Sequence, residues 1–579
     1  MKLKYIITAI IATAIPCKTM AQLTQTVKLR IIQTSDVHGS FFPYDFIQRK
    51  ETKGSLARVS SYVEKLRKDY GRNLILLDNG DILQGQPSCY YYNYVATDKE
   101  NIVSKIYNYM KYDAVAFGNH DVEPGHKVYD KWVGEIQCPV LGANIIDNAT
   151  GLPYVKPFTI IERDGVRVAV LGMLTPAIPN WLDEKLWAGL HFEDIVTSAK
   201  KWVAYIKKNE KPDIIIGLFH SGWEGGIKTD LYSEDAARTA AQQVDGLDLV
   251  LFGHDHHARK AVEKGPNGND VLCLDPSANA QNVADAEITI TKKDGKVVEK
   301  TISGEVRSIA NEPVDEKYVS YFASDINEVK QYVDRKIGTI GKTMYTRDSF
   351  FGSSAFIDLV HNLQLRLTKA DVSFNAPLQF NAEIKQGPIH VSDMFKLYKY
   401  ENKLCVLRMT GEEIRRHLEM SYDMWVNTMK QKSDHIMLLD ERNTSDLQKF
   451  GFKNMTFNFD SAAGIIYEVD VTKPDGQKVN IIKMQNGEKF DPKKWYRVAM
   501  NSYRANGGGE LLTKGAGIPK DELKKRVVYE SDHDLRHYLA QEIERMKKIS
   551  PRPNNNWRFV PDSWAKPALA RDRKLLFNE

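Results

Sequence analysis

Short apolar runs alternate with amphipathic stretches between residue 27 and about residue 301 of the 579-residue chain. Runs of four to nine residues that are rich in β-branched side chains predict buried strands, and the stretches between them have helical spacing. The predicted helices include residues 58–70 and 101–110. The predicted strands are residues 27–33, 74–77, 114–117, 166–174, 214–219 and 247–252. This alternation is typical of an α/β domain, which we place at residues 27–311.

A connecting segment follows this domain. Apolar residues at positions 319, 322, 326, 329, 333 and 337 recur at intervals of three and four, and Gly338 comes next. The spacing predicts one amphipathic helix that ends at the glycine. Because the pattern of the chain differs on its two sides, we interpret residues 312–345 as a helical linker between two domains.

The second half, residues 346–550, mixes predicted helices and strands. Thr410 and Glu413 form a capping box that predicts the start of a helix. Residues 465–471 and 478–484 alternate around Pro474-Asp475-Gly476 and predict a hairpin. The tail, residues 551–579, contains several Pro, Asn and Trp residues, and we expect an extended segment on the surface of a domain.

The amino terminus has the pattern of a secretory signal peptide. Lys2 and Lys4 precede an apolar stretch at residues 5–15, and small residues end at Ala21. The stretch is too short to span a bilayer, so residues 1–21 predict cleavage and a periplasmic protein. Elsewhere no apolar run reaches the length of a membrane span.

Charge and cysteine content narrow the choice of partner. Removing the signal peptide, with three lysines and no acid, lowers the formal net charge from +5 to +2, so a nucleic acid polymer is not expected as a partner. Five cysteines lie far apart without metal-binding spacing, a pattern more typical of buried thiols than of disulfides. The sequence specifies no oligomeric state.

Five of the predicted strands lead directly into polar clusters. The clusters are Asp36-Val37-His38-Gly39, Asp78-Asn79-Gly80-Asp81, Gly118-Asn119-His120-Asp121, His220 and Gly253-His254-Asp255-His256. Any one of them would be weak evidence, but in α/β folds the carboxyl ends of neighbouring strands meet at one edge, where ligands bind. Carboxylates, an amide oxygen and four imidazoles without a thiolate suit two divalent metal ions, with zinc, manganese, iron and cobalt all compatible.

The series DVH, GD, GNHD, H and GHDH resembles the calcineurin-like metallophosphatase superfamily. The second half, with Asn501-Ser502-Tyr503-Arg504-Ala505 before three glycines, resembles the carboxy-terminal nucleotide-binding domain of the 5′-nucleotidase family. The resemblance covers nearly the whole chain after the signal peptide. It implies an α/β fold, with a metallophosphatase β-sandwich flanked by helices and linked by a helix to a smaller α+β nucleotide-binding domain.

Several positions resemble the branch that hydrolyses 2′,3′-cyclic nucleotides and then 3′-nucleotides. His256 stands where typical 5′-nucleotidases have Gln, and the segments 374–378 and 398–400 (Tyr-Lys-Tyr) also resemble this branch. Gly509 stands where many 5′-nucleotidases have an acid, and an arginine cluster near Asn375 is not evident. Hydrolysis of 5′-nucleotides or nucleotide sugars by the same chemistry is the alternative. A non-catalytic nucleotide-binding protein is a remote alternative.

Carried over residue by residue, the resemblance implies two metal sites that share Asp81 and activate a bridging hydroxide for attack on phosphorus. The first site would consist of Asp36, His38, Asp81 and His256. The second would consist of Asp81, Asn119, His220 and His254.

The resemblance also implies roles for residues that do not bind metal. His120 would stabilise the transition state or protonate the leaving oxygen, and Glu123 would orient it, in a position where Asp is more common. Tyr503 would stack on the nucleobase, with Tyr400 on the opposite face and Tyr398 as the competing choice for that face. Asn375 would lie near the base or the ribose.

Overall fold

The computed structural model of the protein describes residues 24–440 and 451–579. The predicted signal peptide at residues 1–21 lies outside the described residues, so its cleavage stays a prediction. Within the described ranges, no helix combines the length and the apolar character that crossing a bilayer requires.

Two six-stranded sheets form the first domain. In spatial order, the first sheet consists of Lys296–Ser308, Asn282–Lys293, Thr24–Thr34, Leu74–Asp78, Ala114–Ala116 and Val140–Leu141. The second consists of Arg259–Lys264, Asp270–Asp275, Leu249–Phe252, Ile214–His220, Val166–Leu174 and Phe158–Arg163. The central strands of each sheet are parallel. All six predicted strands are therefore present, and the predicted α/β sandwich is confirmed.

The core of this domain lies between the two sheets. Alternate side chains of facing strands, such as Leu29 and Ile31 against Val168 and Val170, are completely or almost completely buried there. Helices cover the outer faces, which explains why the central strands have continuous apolar runs. The helices of this domain are Leu56–Tyr70, Pro87–Tyr90, Ile102–Met110, Asn119–Val122, His126–Glu135, Ile178–Trp181, Ile195–Asn209 and Ala237–Gln243.

The connection between the domains differs from the single predicted helix. Two helices, Glu316–Tyr321 and Ala323–Asp334, break at Phe322, and Lys336–Ile340 is already a strand. Ile337 continues the helical spacing by coincidence. Its strand pairs with Gly387–His390 and Lys548–Ile549, and this pairing ends the helix before Gly338.

The second domain is smaller, and its described residues form helices and four sheets. Its central sheet has the order Ser461–Ala463, Val372–Asn375, Trp495–Asn501, Lys403–Thr410 and Val527–Asp534. The predicted hairpin is confirmed as Ile465–Asp470 paired with Val479–Met484. The predicted capping box is also confirmed, because Thr410 caps the helix Gly411–Trp425 by a reciprocal hydrogen bond with Glu413. Other helices are Ala355–Thr368, Val391–Leu397, Ser502–Ala505, Lys520–Arg526 and Leu535–Met546.

The tail does not match its prediction. Strand Trp557–Val560 is extended and pairs with Ile465–Asp470, but a 16-residue helix, Asp562–Phe577, follows it. The expectation of an extended tail through residue 579 is therefore wrong. A proline usually ends a helix, but Pro567 lies inside this one. Good helix formers surround the proline, and Ala565 and Ala568 are buried against the domain.

Polar and aromatic contacts join the two domains. The Tyr90 hydroxyl donates to Asp534 (3.0 Å), and the Arg536 guanidinium lies over the rings of Tyr90 and Phe395. Lys185 pairs with Glu530 (3.1 Å) across the same junction. A cavity of about 440 Å³ also lies between the domains, with Trp181 on one wall and residues 507–510 on the other. The cysteines at positions 89, 138, 273 and 405 are free thiols, and all of them except Cys138 are buried.

Candidate metal centre

The predicted ligands meet at one edge of the sandwich. The first sheet delivers Asp36, Asp81 and Asn119 just beyond the ends of three parallel strands. The second sheet delivers His220 at the last position of its strand and His254 two residues beyond the next strand. The rule that ligands gather at the carboxyl ends of parallel strands therefore holds for both sheets.

The first group consists of Asp36, His38, Asp81 and His256, whose ligand atoms all lie within 4.8 Å of one another. His256 Nε2 lies 3.3 Å from Asp36 Oδ1 and 3.1 Å from His38 Nε2. His38 Nε2 lies 3.8 Å from Asp81 Oδ2. These four are the residues expected at the first metal site.

The second group shares Asp81 with the first. His220 Nε2 lies 3.3 Å from Asp81 Oδ2 and 3.1 Å from Asn119 Oδ1. His254 Nδ1 lies 2.9 Å from the same Asn119 oxygen. The other Asp81 oxygen accepts the backbone N–H of His120 (2.8 Å), which leaves Oδ2 facing both groups of imidazoles.

The donors in this centre fit divalent cations. Apart from its 3.3 Å ion-pair contact with His256, Asp36 Oδ1 is buried without a hydrogen-bond partner among the described residues, and a buried carboxylate oxygen in that state is costly. Burial and the neighbouring His256 lower the pKa of His38 to about 3, so this imidazole is neutral, as a metal ligand must be. Convergent nitrogens and carboxylate oxygens of this kind are a metal donor set.

Five of the seven ligand positions have left-handed backbone conformations. The φ angles are 52° at Asp36, 47° at His38, 57° at Asp81, 80° at His254 and 62° at His256. Residues other than glycine seldom adopt such angles, and when they do the surrounding structure imposes them, often at functional sites. The backbone therefore turns sharply at each of these positions to aim a side chain into the centre.

Hydrogen bonds to the outer ring nitrogens orient three of the imidazoles. His220 Nδ1 donates to the carbonyl of Asn79 (2.7 Å), and His38 Nδ1 lies 3.2 Å from Gln84 Oε1. In His254 the outer nitrogen is Nε2 instead of Nδ1, and it lies 3.1 Å from Glu234 Oε1. These partners leave Nε2 of His38 and His220, and Nδ1 of His254, to face the centre.

His120 and Glu123 form the pair that the sequence predicts. His120 Nδ1 lies 2.6 Å from Glu123 Oε2, so the longer side chain of glutamate reaches the ring. Burial opposes a charge on His120, but the Asp81 carboxylate and the hydrogen bond with Glu123 outweigh it and raise the pKa to about 9. The imidazole is therefore protonated at neutral pH and has a proton to give.

This pair predicts a pH effect. Glu123→Gln removes a negative partner of His120, so the pKa of His120 falls. Because activity that needs protonated His120 is lost above this pKa, we expect the alkaline limb of the kcat/KM–pH profile to move down by about one pH unit or more. Asp130→Asn, which alters the His126–Asp130 pair outside the centre, is the control. An alkaline limb that stays in place in Glu123→Gln would contradict the pairing.

Asp121 is a residue whose role sequence reasoning missed. Its carboxylate accepts four backbone N–H groups, from Asp81, Ile82, Leu83 and Gly118, at 2.8–2.9 Å. It therefore holds the loop that carries Asp81 against the loop that carries Asn119. The signal was present in the sequence, since Asp121 ends the GNHD motif.

The second domain contains the predicted substrate residues. Tyr503 lies against Gly508, where an added Cβ would come within 2.5 Å of the ring. Burial raises the pKa of Tyr503 to about 12, and Tyr400 and Glu234 lie close enough to add to the shift. Tyr400 is half-buried, whereas Tyr398 is only 1% exposed, so Tyr398 has no face for a base.

Asn375 ends the strand Val372–Asn375 and is 3% exposed. Its side-chain oxygen is buried without a hydrogen-bond partner among the described residues. Among the described residues, no contact links Asn375 to Tyr400 or Tyr503, so its predicted place near the base or ribose stays a prediction.

Family models match both halves of the chain. The model of the calcineurin-like phosphoesterases matches residues 29–258, and that of the 5′-nucleotidase C-terminal domain matches residues 336–514. Together they include every predicted site residue. The chain therefore contains a calcineurin-like phosphoesterase domain and a 5′-nucleotidase C-terminal domain. It is a metal-dependent phosphoester hydrolase.

Relatives of this family align along most of the chain. A 2′,3′-cyclic-nucleotide 2′-phosphodiesterase/3′-nucleotidase from Haemophilus influenzae is 27% identical, covering 96% of this chain and 91% of that protein. The trifunctional nucleotide phosphoesterase YfkN from Bacillus subtilis is 28% identical over 93% of this chain, which spans only 39% of that protein. The crystal structure of a Thermus thermophilus 5′-nucleotidase precursor has a TM-score of 0.63 at 19% identity. The alignment covers 92% of this chain and 99% of the Thermus thermophilus chain, and the two proteins share the fold.

Proposed function

We propose that this family member hydrolyses 2′,3′-cyclic nucleotides to 3′-nucleotides and then removes the 3′-phosphate, in the periplasm. Two divalent metal ions would be held by the two groups of ligands that share Asp81. Export depends on the signal-like pattern of residues 1–21, and sequencing the amino terminus of the secreted protein, expected at Gln22, tests it.

The observation that carries the proposal is the relation between the tyrosine pair and the ligand cluster. The cavity between the domains has Trp181 on one wall, and its ring centroid lies 5.8 Å from that of the predicted ligand His254. The opposite wall includes Gly508, which packs against the Tyr503 ring. A nucleoside held by Tyr400 and Tyr503 would therefore have its phosphate at the ligand cluster. Relatives that act on 2′,3′-cyclic nucleotides align over nearly the whole chain, which supports this substrate class.

When bound, two metal ions of this kind neutralise charge on the phosphoryl oxygens and lower the pKa of water towards 7. The residues of the chain supply the rest of the chemistry. Asp81 presents one oxygen to both sites, and its other oxygen fixes the backbone of His120. Protonated His120, oriented by Glu123, donates its proton to the oxygen that leaves phosphorus.

The two steps use the same residues. In the first step, water adds to phosphorus and releases a proton to solvent, while the bond to the ribose 2′ oxygen breaks and His120 protonates that oxygen. His120 regains a proton from solvent before the second step. In the second step, water adds again, the 3′ oxygen leaves, and His120 protonates it in turn. The tyrosine pair supports both steps because stacking on a base face tolerates any base and small shifts of the ribose.

The test is a comparison of 2′,3′-cyclic AMP, 3′-AMP and 5′-AMP as substrates of the purified protein with added manganese. We expect hydrolysis of the first two, with 3′-AMP accumulating before adenosine when the cyclic substrate is in excess. Hydrolysis of 5′-AMP alone would overturn the proposed substrate class and leave the phosphoesterase chemistry in place.

The tyrosine pair predicts a separation between KM and kcat. Tyr503→Ala and Tyr400→Ala each remove a stacking partner worth about 1–3 kcal/mol, so KM for 2′,3′-cyclic AMP is expected to rise about 5–150-fold. Hydrolysis of bis(4-nitrophenyl) phosphate, which has no nucleobase, should change little.

Tyr529→Ala is the matched control, because it removes an exposed tyrosine elsewhere in the same domain. Steady-state kinetics on both substrates give the answer. Equal losses on the nucleotide and the aryl diester would rule out base stacking by the altered tyrosine.

A further inference from the structure

A small hairpin of the first domain lies beside the metal centre. Its strands are Gly225–Lys228 and Ser233–Asp235, paired antiparallel. Glu234 on the second strand points at His254, with Oε1 lying 3.1 Å from Nε2 of the ring. The Trp181 ring also lies beside His254, with the two ring centroids 5.8 Å apart.

We propose that Glu234 is a positioning residue that fixes the tautomer and orientation of His254 and thereby sets the affinity of the second metal site. The inference rests on the proposed metal centre and adds a residue to it. Neither the strand-end pattern nor the family resemblance includes Glu234, which lies 20 residues before His254 in the sequence.

The hydrogen-bond chemistry determines the tautomer. An ionised glutamate only accepts hydrogen bonds, so the proton of neutral His254 lies on Nε2 and is donated to Glu234. The lone pair is then on Nδ1, which lies 2.9 Å from Asn119 Oδ1 and faces the second site. Without the glutamate, the ring is free to carry its proton on Nδ1, and a protonated Nδ1 cannot bind metal.

The protein holds the Glu234 carboxylate in place on both sides. Its second oxygen accepts the backbone N–H of Ile227 (2.6 Å) from the opposite strand of the hairpin. Gly226, with φ of 60°, lets that strand approach so closely that an added Cβ would lie 2.6 Å from Glu234 Cδ. Ser221 donates to the Glu234 carbonyl at 2.7 Å. A carboxylate fixed in this way can orient the ring it contacts.

The neighbouring carboxylate, that of Asp235, does not form a hydrogen bond with His254. Asp235 Oδ1 lies 3.9 Å from His254 Nε2, beyond hydrogen-bond distance, and accepts the backbone N–H of Gly222 instead (3.1 Å). Glu234, Asp235 and His254 also have ligand atoms within 4.8 Å of one another. A metal at that place would need the same His254 nitrogen that Glu234 accepts from, so the two arrangements exclude each other.

The test is a titration of the metal-free protein with manganese, in which electron paramagnetic resonance measures the concentration of the free ion. His38→Ala and Asn119→Ala first identify the two classes of site, because each removes a ligand of one class only. We expect Glu234→Gln to weaken manganese binding by about 10–100-fold at the class of site that Asn119→Ala removes. The affinity of the other class should not change. The glutamine amide offers one acceptor oxygen, so it cannot satisfy both His254 and Ile227.

Glu224→Gln is the matched control, since Glu224 lies just before the same hairpin but is exposed and pairs with Arg238. It should leave both classes unchanged. The ¹⁵N chemical shifts of the His254 ring in the metal-free protein give a second readout, with Glu234→Gln increasing the share of the tautomer protonated on Nδ1.

Affinities that stay within twofold of the wild type, or an equal weakening of both classes, would overturn the proposal. So would a third manganese ion bound by the wild type and lost in Glu234→Gln. The titration uses no nucleotide, so failure of the proposed substrate class would appear in the hydrolysis assays and not here.

Discussion

Asp81→Asn is expected to abolish phosphoester hydrolysis, with a loss of at least about 10³-fold in kcat. Asp81 is the only predicted ligand in both groups, and its Oδ2 lies 3.3 Å from His220 Nε2 and 3.8 Å from His38 Nε2. A neutral amide removes the negative charge that two cations would share. Metal ions supply several kcal/mol of transition-state stabilisation, and about 4 kcal/mol corresponds to that loss in rate.

A variant in the GHDH motif makes a matched comparison. Asp255 lies between two predicted ligands, but its carboxylate accepts the backbone N–H of Trp223 (2.9 Å) and does not join either group. Asp255→Asn should therefore lose far less activity than Asp81→Asn. Metal content and the melting temperature show whether the Asp81 variant is folded and metal-depleted. Full activity in a folded Asp81→Asn protein would refute the shared-carboxylate assignment.

The sequence predicts that these side chains converge, because the pattern on which the prediction depends is local. Each apolar run predicts a strand, and each polar cluster follows its run by one to four residues. The convergence of the clusters then depends only on the rule for parallel strands. His220, which no glycine-rich motif marks, is found by this rule because it ends the strand Ile214–His220.

Other features depend on contacts between distant segments and leave no local pattern. The left-handed backbone at Asp36 and His254 is one such feature, since nothing in the residue type requires it. Glu234 reaches His254 only because a hairpin folds back over the centre. The helix Asp562–Phe577 contains a proline that local rules treat as a helix breaker. Burial of its alanines against the second domain is the tertiary contribution that these rules omit.

Contacts at the domain junction give different exposures to the two tyrosines that the sequence leaves open. Arg536 donates to the carbonyls of Tyr398 and Lys399 and pairs with Glu401. It therefore fixes the whole segment that carries the pair. Tyr398 is buried in the core, whereas Tyr400 is half-buried. The segment is also tied to the first domain, because Arg536 lies over the Tyr90 ring at 4.9 Å.

His120→Ala is expected to lower kcat on 2′,3′-cyclic AMP and 3′-AMP by about 10²–10⁴-fold, the usual contribution of a general acid. The ring is part-buried beside Glu123, and its raised pKa of about 9 keeps it protonated at neutral pH. A ribose oxygen is a poor leaving group and needs this proton. A 4-nitrophenolate leaves without one, so the loss on bis(4-nitrophenyl) phosphate should be much smaller.

The ratio of the two losses identifies the role of His120. If the imidazolium acted mainly by stabilising charge on the phosphoryl oxygens, both substrates would lose activity about equally, because both develop that charge. His126→Ala controls for removal of an imidazole outside the centre, where the ring interacts with Asp130 and the Ala188 carbonyl. Equal losses on the nucleotide and the aryl diester would therefore replace proton donation by electrostatic stabilisation, while a large difference would establish His120 as the group that protonates the leaving oxygen.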